Sequence, residues 1–446
     1  MKILFYNWDR IDGKVGGGVT VYQKNLVNYL LGGDDDLFFL NSGFSYDGGS
    51  LKLISIHNSI SDKIKTFEII NSPVLAPVQQ SIKNVRFYLE DDTLFEPVKN
   101  FLAENNFDVI HFNNLEGLSL KILELKKYFP KTKFIYSLHN YFPICTTVTL
   151  WNGKNNCSQK NCADCHKNMS YCAVKFLRNH FGYFRGAGRL SKLYGRFFQD
   201  NDDPELFKKF ETKNISYINQ YIDMTLAVSE RVKKIFAAKG LKNIEVSYIG
   251  TNVAGFQRFQ NCADIFSNPF KLIYMGYMNA PKGFYFFVEA LQKMSNDIAK
   301  NISVTVVARH NKIFHCREIH SLNNLKSKFH SIELINGYRH DEQEKLLSDK
   351  NLGVVPVLWE DNLPQVAIEQ IAYGVPILCS NLGGASELHN HNKNFTFEAG
   401  NVDEFLKKLE NILNNRQLLK DYWQSVKPLT TMKNHVDFLR NIYAVH

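Results

Sequence analysis

The sequence lacks the features that mark several classes of protein. No apolar run reaches the about 18 to 20 residues that a membrane-spanning helix needs. No basic and then apolar leader precedes the first apolar stretch, which begins at Lys2, so we expect no cleaved export signal and a cytoplasmic location. The chain also has no glycine period, heptad pattern or long low-complexity tract, which excludes collagen-like, coiled-coil and disordered proteins.

Length and charge limit the remaining possibilities. A chain of 446 residues exceeds one ordinary hydrophobic core, so two domains are expected. Its 53 Lys and Arg residues against 44 Asp and Glu residues give a formal net charge of +9. This excess favours an anionic partner, which is a nucleic acid, an anionic membrane or a phosphorylated substrate.

Short apolar strands alternate with helical patterns along the chain, which predicts βαβ units and doubly wound parallel sheets. The pattern occurs in two series and predicts domains at 1–250 and 265–430, with an insert at about 145–200. A terminal amphipathic helix at 431–446 is expected to pack back on the first domain. In two such domains, ligands are expected in the cleft between the carboxyl ends of the two sheets.

Residues 360–387 hold the strongest local pattern. Pro364 suits the first turn of a helix, and Asp361 and Asn362 stand before it at capping positions. Gly374 is placed to end that helix, and the next strand follows. An ordinary capped helix in an α/β unit would show the same pattern without any chemistry.

The same block also has the parts of a phosphate site. The start of the helix offers the backbone amides of Gln365 and Val366, which are suited to holding a phosphate. Asp361 and Glu369 are eight residues apart, which predicts two carboxylates along one side of the helix start. In an ordinary capped unit, Asp361 would instead be a cap and Glu369 a surface residue.

Several motifs in sequence order carry a resemblance to a known family. They are the acid and glycine pattern of 361–387, the strings GYMNAPKG and NGY before it, the strand end YSLHN, and a glycine-rich first turn at 16–18. Together they resemble retaining glycosyltransferases of family 4 with the GT-B fold, of the bacterial surface-polysaccharide type with a Cys-rich insert. The resemblance implies an acceptor-binding N-terminal domain and a nucleotide-sugar-binding C-terminal domain.

The resemblance implies four residues for the transfer itself. Glu369 would bind the ribose of the donor, and Asp361 would contact the hydroxyls of the donor sugar. Lys282 would neutralise the diphosphate leaving group, and His139 would contact the transferred sugar.

The resemblance also implies positions that hold the nucleotide. Backbone at Gly17 and Gly18 would close over the phosphates, Tyr338 would lie near the base, and the amides of Gln365 and Val366 would face the phosphates.

Two positions depart from the family pattern. The first acid is Asp361 where the family has Glu, so its reach is shorter by one carbon, and the adjacent Glu360 is one position out of register. Tyr277 replaces the family arginine of the diphosphate clamp, and Arg309 or Arg339 is the candidate to supply the missing charge.

The implied reaction moves a sugar, with retention of configuration, from a UDP- or GDP-sugar to a glycan or a polyprenyl-linked acceptor. It needs no metal, and it implies a peripheral position on the inner face of the cell membrane. Two alternatives remain open. A nucleotide-sugar epimerase has the same fold, and a non-catalytic zinc-knuckle binding protein would explain the cysteines.

Five of the eight cysteines fall within residues 145–172, where the spacing is typical of a metal site. We expect a structural zinc held by four thiolates, those of Cys145, Cys157, Cys162 and Cys165. Unbound thiols, a disulfide or an iron–sulfur cluster would fit the same spacing.

Residues 175–196 combine six Lys and Arg residues with eight aromatic or leucine residues and contain no acid. The pattern is typical of a helical hairpin with a solvated face, and also of an element that meets anionic lipid headgroups. A single-stranded nucleic acid would suit it as well. No other motif indicates nucleic-acid binding, so we expect an anionic membrane contact and no nucleic acid.

Overall fold

A computed structural model of the protein describes residues 1–13, 17–76, 85–157, 204–251 and 264–444. These residues form two compact units. The N-terminal unit comprises Met1–Gly153, Cys157–Gly250 and Met432–His446, and the C-terminal unit comprises Lys154–Asn156 and Thr251–Thr431.

The N-terminal unit is built on an eight-stranded sheet with the order β3-β4-β2-β1-β5-β6-β7-β8. All neighbouring strands are parallel except β3 and β4, which form an antiparallel pair at one edge. The strands are β1 (Lys2–Tyr6), β2 (Asp36–Ser42), β3 (Lys52–Ile56), β4 (Ile64–Ile70), β5 (Val109–Phe112), β6 (Lys133–Leu138), β7 (Met224–Ala227) and β8 (Ile244–Val246).

Helices connect these strands. In the described residues they are α1 (Gly17–Leu30), α2 (Val85–Glu90), α3 (Phe95–Asn105), α4 (Pro204–Tyr221) and α5 (Glu230–Ala238). Two 3-10 helices follow β5 and β6, at Leu120–Lys127 and Phe142–Ile144. The side chain of Ser229 caps α5 by accepting a hydrogen bond from the amide of Val232 at 3.2 Å.

The C-terminal unit is built on a six-stranded sheet in which all neighbours are parallel, with the order β11-β10-β9-β12-β13-β14. The strands are β9 (Phe270–Met275), β10 (Ile302–Val307), β11 (Ser331–Ile335), β12 (Leu352–Val355), β13 (Ile377–Ser380) and β14 (Thr396–Phe397). The chain therefore folds as α/β with two parallel-sheet domains, as the alternation of apolar strands and helices predicts.

Helices again link the strands of this unit. They are α6 (Phe284–Lys293), α7 (Asn296–Ala299), α8 (Cys316–Leu325), α9 (Gln343–Leu347), α10 (Gln365–Ala372), α11 (Val402–Asn414) and α12 (Gln417–Asp421) in the described residues. Short 3-10 helices lie at His340–Glu342, Ala385–His389 and Tyr422–Gln424. No helix among the described residues is both long and apolar enough to cross a membrane.

The last helix, α13 (Met432–Ala444), belongs to the N-terminal unit. Its buried face, with Val436, Leu439 and Tyr443, joins the same hydrophobic core as α1 and strands β1, β2 and β5. Two buried histidines connect it further, because His435 Nε2 lies 2.7 Å from the Tyr22 hydroxyl and the Tyr443 hydroxyl lies 2.5 Å from His111 Nδ1. This helix therefore completes a core formed by residues about 400 positions earlier in the chain.

Local structure differs from the sequence prediction at the start of the helix in the 360–387 block. The helix predicted to have Pro364 in its first turn begins at Gln365, and Pro364 is its N-cap residue, without a side-chain capping hydrogen bond. Asp361 is therefore not a helix cap, which corrects one interpretation of that block.

Candidate active site

The predicted donor-binding residues lie at one edge of the C-terminal sheet. Lys282 follows β9, Arg309 follows β10, Tyr338 follows β11 and Asp361 follows β12. Because these strands are parallel, the residues that follow their carboxyl ends lie on the same edge of the sheet. Ligands of open α/β sheets bind at that edge.

Lys282 and Asp361 form an ion pair. The distance from Lys282 Nζ to Asp361 Oδ2 is 2.5 Å, and the side chains are 26% and 10% exposed. Lys282 Nζ also lies 5.1 Å from the centre of the Trp359 ring. The sequence interpretation gave Lys282 to the diphosphate and Asp361 to the donor sugar, and the structure brings these two side chains into direct contact.

Trp359 lies beside Lys282 and is a candidate site residue that sequence reasoning missed. Its indole Nε1 is buried and has no hydrogen-bond partner among the described residues. A buried N–H donor without an acceptor is costly, so it is suited to a ligand oxygen. The sequence offers no signal for it beyond its position two residues before Asp361.

Gly383 and Gly384 let the loop after β13 pack closely against the loop after β12, which carries Glu360 and Asp361. Gly383 has a φ of +70°, and a Cβ atom there would lie 2.0 Å from the carbonyl oxygen of Asp361. The Gly383 amide donates to Glu360 Oε2 at 3.2 Å, and the Gly384 amide donates to the carbonyl of Asp361 at 2.9 Å. Glu360 therefore braces the loop, which is a structural role and not a replacement for Asp361.

Tyr338 and Glu369 are joined by a hydrogen bond. The Tyr338 hydroxyl donates to Glu369 Oε2 at 2.5 Å, and burial, together with the adjacent carboxylate, raises the pKa of Tyr338 far above its usual range. The tyrosine is therefore a neutral donor that fixes one carboxylate oxygen of Glu369. The sequence interpretation placed these two residues at the base and the ribose of one nucleotide, which fits their contact.

Arg309 lies beside the turn that carries Tyr338. Gly337 has a φ of +68°, and a Cβ atom there would lie 2.9 Å from Arg309 Cγ, so only glycine fits this close approach. Arg309 is exposed and its guanidinium has no ion-pair partner among the described residues. Arg339, in contrast, forms a bidentate ion pair with Asp341, in which its Nε and Nη2 atoms donate at 3.0 and 2.9 Å. Arg309 is the better candidate for the missing cation.

Helix α10 starts at the same edge and places the amides of Gln365 and Val366 in its first turn. The first amides of any α-helix have no acceptor within the helix, and they carry partial positive charge. Gly374, with a φ of +80°, follows its last turn, as the sequence predicts.

In the N-terminal unit, His139 follows β6 and packs against the Tyr22 ring, with the ring centres 4.8 Å apart. Burial lowers the pKa of His139 to about 3, so the imidazole is neutral near pH 7. Its Nε2 lies 3.3 Å from Asn113 Oδ1, and with the amide in this orientation Nε2 carries the hydrogen and Nδ1 has a lone pair. A neutral ring of this kind hydrogen-bonds hydroxyl groups and does not pair with phosphate.

Four buried amide side chains next to His139 form a group that sequence reasoning missed. Asn7, Gln23, Asn113 and Asn114 are all at most 2% exposed and follow the carboxyl ends of β1 and β5 or lie on α1. We call them the amide cluster. Asn7 Nδ2 donates to Gln23 Oε1 at 2.7 Å, and Asn114 Nδ2 donates to Asn7 Oδ1.

The amide cluster keeps unused hydrogen-bonding capacity. Gln23 Nε2, Asn113 Nδ2 and Asn114 Oδ1 are buried without a partner among the described residues. Both donors and an acceptor are therefore present, which is the chemistry of a site for hydroxyl groups. No spacing rule marks these residues, because asparagines after strands are typical of ordinary turns.

Gly17 and Gly18 form the exposed start of α1, and Gly17 has a φ of +61°, a conformation that favours glycine. A Cβ atom at Gly17 would meet no atom within 4 Å, so packing does not require a glycine there. Glycine is favoured at position 17 because of the positive φ and not because of packing. The space beside Gly17 leaves room for a ligand to approach.

The four cysteines predicted to bind zinc are only partly within the described residues. Cys145 is buried, with its Sγ 3.1 Å from the Thr147 hydroxyl, and Cys157 is half-buried nearby. Cys162 and Cys165 lie outside the described residues, as does the basic segment 175–196. The described residues alone contain no group of three or more potential metal ligands.

A family model described as Glycosyl transferases group 1 matches residues 269–415. The C-terminal unit contains a glycosyltransferase domain. The chain is accordingly an enzyme of the transferase class. The match spans every residue of the donor edge described above, from Lys282 to Gly384.

Solved structures share the whole architecture. Sucrose-phosphate synthase from Thermosynechococcus elongatus superposes with a TM-score of 0.63 at 14% identity, covering 99% of this chain and 98% of its own. The Anabaena protein HepE in complex with UDP gives 0.60 at 14% identity and 100% coverage of both chains. The trehalose 6-phosphate synthase of Burkholderia multivorans gives 0.61 at 11% identity, covering 99% and 96%. At such identities the likeness shows the fold, which is GT-B. No curated protein sequence matches the chain.

Proposed function

We propose that this protein is a retaining glycosyltransferase of family 4, which transfers a sugar from a nucleotide diphosphate-sugar to a glycan or polyprenyl-linked acceptor in cell-surface polysaccharide synthesis. The Lys282–Asp361 ion pair, at the edge where Tyr338 holds Glu369, is the observation that carries this proposal. In this pair Lys282 supplies a positive charge for the leaving group and Asp361 supplies a carboxylate for the sugar. Both residues lie inside the matched glycosyltransferase domain.

The donor residues have separate tasks. Glu369, which accepts a hydrogen bond from the Tyr338 hydroxyl, binds the ribose hydroxyls. Lys282, Arg309 and the first amides of α10 surround the diphosphate and stabilise the negative charge that develops when the bond to the sugar breaks. Asp361 holds Lys282 in place through Oδ2 and uses Oδ1 for a sugar hydroxyl.

Retention of configuration follows when the acceptor approaches from the face that the diphosphate leaves. The bond from the anomeric carbon to the diphosphate oxygen breaks, and a bond from the acceptor oxygen to that carbon forms on the same face. The acceptor proton moves to the departing diphosphate oxygen. This scheme requires no protein nucleophile, and we assign none.

UDP is the favoured nucleotide, with GDP as the competing choice. The support is that HepE is described in complexes with UDP and with UDP-glucose, on a fold that covers the whole of this chain. His139 and the amide cluster suit an uncharged acceptor hydroxyl, since they offer neutral donors and acceptors.

A thermal-shift panel of UDP, GDP, ADP and dTDP tests the donor assignment. We expect UDP to raise the melting temperature, and Glu369→Ala to abolish that rise while the protein stays folded. Glu289→Ala is the matched control, because this exposed glutamate pairs only with Lys293 on the surface of α6. A panel in which no nucleoside diphosphate stabilises the protein would contradict the proposal.

The acceptor assignment is tested with Gln23→Leu, which keeps the volume of the side chain and removes its amide. We expect slower transfer to an added sugar acceptor at unchanged hydrolysis of the UDP-sugar by water. Equal loss of both activities would place Gln23 in the folding of α1 rather than in acceptor binding.

A structural zinc on Cys145, Cys157, Cys162 and Cys165 is part of this proposal. The support is that Cys145 and Cys157 are both free cysteines and lie near each other in the folded chain, as two members of the predicted zinc set must. Metal analysis of the purified protein should give one zinc per chain, and Cys162→Ser should lose it. Protein free of zinc and iron would contradict the metal site.

A peripheral contact with the inner face of the cell membrane completes the proposal. Its support is the basic and aromatic composition of 175–196.

A further inference from the structure

The tip of the loop between β10 and α8 exposes two adjacent apolar side chains. Ile313 is 78% exposed and Phe314 is 63% exposed, and these are the two highest values among the large hydrophobic residues of the described chain. They lie together in the turn at 312–315. Single exposed apolar residues need no explanation, but two adjacent ones at the end of a loop indicate a surface that meets something apolar.

The same tip is cationic. Lys312 and Arg317 are exposed on either side of the apolar pair, and neither has an ion-pair partner among the described residues. His310 and His315 lie in the same segment, and no acid occurs from 309 to 317. We call residues 310–317 the basic apolar tip.

Local hydrogen bonds fix the shape of the tip. The Ile313 amide donates to Asn311 Oδ1 at 2.8 Å, and the Asn311 amide donates to His315 Nδ1 at 3.1 Å. The nearest acid in sequence, Glu318, accepts a hydrogen bond from the hydroxyl of Tyr285 at 2.7 Å. Tyr285 is itself 49% exposed on α6, so an aromatic ring borders the tip. The apolar pair is therefore presented on an ordered turn.

We propose that the basic apolar tip inserts into the headgroup region of an anionic lipid bilayer. Exposed cations favour an anionic surface, and an adjacent aliphatic and aromatic pair favours the interface below it. A protein partner is disfavoured because a stable protein interface buries about 800 Å² on each side, far more than two side chains supply. Arg309 is excluded from the tip, since we assign it to the donor site.

This inference gives the proposed membrane contact a second position, in the C-terminal unit, separate from segment 175–196. It rests on the membrane part of the proposed function and not on sugar transfer. The two can fail independently, because lipid contact is measured without a donor and donor binding is measured without lipid.

Site-specific fluorescence on the full-length protein tests the tip directly. The variant Phe314→Trp is mixed with vesicles of phosphatidylcholine and phosphatidylglycerol that carry brominated acyl chains. We expect a blue shift and quenching of the added indole, and neither effect on vesicles of phosphatidylcholine alone. The matched control is Phe266→Trp, a phenylalanine of the same unit that is 58% exposed and lies 5.2 Å from Lys420 Nζ.

The control separates the tip from any other lipid-binding region. If segment 175–196 alone binds lipid, both variants pellet with vesicles, and the indole of Phe314→Trp is no more quenched than that of Phe266→Trp. That result would overturn the inference. Quenching confined to Phe314→Trp supports it even when the protein binds no nucleoside diphosphate, in which case only the donor assignment fails.

A charge variant provides an independent measurement. Replacing Lys312 and Arg317 with Glu should weaken pelleting with the anionic vesicles by more than roughly 30-fold, the value expected for loss of the two positive charges alone, while the UDP thermal shift stays unchanged. Unchanged pelleting would contradict the inference. A dimer in solution that Ile313→Ser dissociates, or binding of single-stranded RNA that the charge variant loses, would replace lipid with another partner and also overturn it.

Discussion

At the scale of single residues, the ion pair of Lys282 and Asp361 is the most informative contact. The lysine is one-quarter exposed and the aspartate one-tenth exposed, so the pair is largely removed from water without being sealed. Such a pair holds its positive charge at a fixed point before the donor arrives. Because the cation is already in position, the site does not have to rearrange when negative charge develops on a leaving group.

Replacing Lys282 tests this role. We expect Lys282→Ala to lower kcat by about 100- to 1000-fold, as removal of a preorganised stabiliser of developing charge does elsewhere. Nucleotide release from the UDP-sugar, measured at saturating donor, reports the change.

The control for Lys282→Ala is Lys293→Ala. That lysine forms an exposed i,i+4 pair with Glu289, so its loss should leave kcat within error. Because Lys282→Ala leaves Asp361 without its partner, a melting curve must accompany the kinetics. Unaltered turnover in folded Lys282→Ala protein would remove Lys282 from the leaving-group site.

Sequence alone predicted several of these residues but not their contacts. Glu369 and Tyr338 were each assigned from a motif, yet they are 31 positions apart, and only the parallel order of β9 to β12 brings them together. Trp359 and the amide cluster were missed for another reason. Their function would depend on a buried nitrogen or oxygen atom that has no hydrogen-bond partner among the described residues. The spacing of residues in a sequence cannot predict such an atom.

At the scale of elements, the terminal helix α13 has the clearest energetic role. Its polar face is exposed, whereas Val436, Leu439 and Tyr443 are at most 5% exposed within the core of the N-terminal unit. The amphipathic pattern of the last residues predicted a helix. Its partner in the core was not evident from the sequence, because the contacts join positions more than 330 residues apart.

The helix should therefore contribute to folding of the N-terminal unit. We expect Leu439→Ala to lower the free energy of unfolding by about 2 to 5 kcal/mol, because the side chain is 1% exposed and its removal leaves a cavity. Urea unfolding followed by circular dichroism measures it. Lys433→Ala, at a position on the same helix that is 70% exposed, should change the value by less than about 0.5 kcal/mol. Equal effects of both substitutions would argue against a docked helix.

Elements with strong periodicity were predicted well, and those with weak periodicity were not. The strands of the C-terminal sheet and the helices at 230–238, 284–293 and 365–372 follow the apolar pattern closely. Strands β2, β3 and β4 were all missed. Strand β3 lies at a sheet edge, where exposed and half-buried residues give no clear alternation. The 3-10 helix at Leu120–Lys127 has apolar residues at helical spacing, and that spacing does not distinguish a 3-10 helix from an α-helix.

At the scale of the whole molecule, the buried histidines of the described residues are distributed unevenly between the two units. Burial lowers the pKa of His111 and His139 to about 3 and that of His435 to about 4, and all three belong to the N-terminal unit. In the C-terminal unit, burial lowers the pKa of His389 to about 4. These rings are neutral in the folded protein, and each has a hydrogen-bond partner.

This distribution predicts that the N-terminal unit is the more sensitive to mild acid. An unfolded histidine has a pKa of about 6.5, so below that pH the unfolded chain binds protons that the folded rings do not accept. The histidines therefore do not reduce the free energy of unfolding above pH 6.5, where they are neutral in both states. The free energy of unfolding falls as the pH decreases from 6.5 toward 4. At pH 5 the loss is about 2 kcal/mol for each such histidine, so the three in the N-terminal unit lower its stability more than the one in the C-terminal unit lowers that of its own unit.

Calorimetry between pH 7.5 and pH 5 separates the two units, because this window lies above the range in which most carboxylates titrate. We expect a transition that splits as the pH falls, with the earlier component moved to lower temperature. His435→Gln should reduce that movement, since one proton-linked group is lost, whereas His320→Gln, at an exposed position on α8, should not. A single transition that is unchanged between the two pH values would show that the buried histidines do not control acid stability.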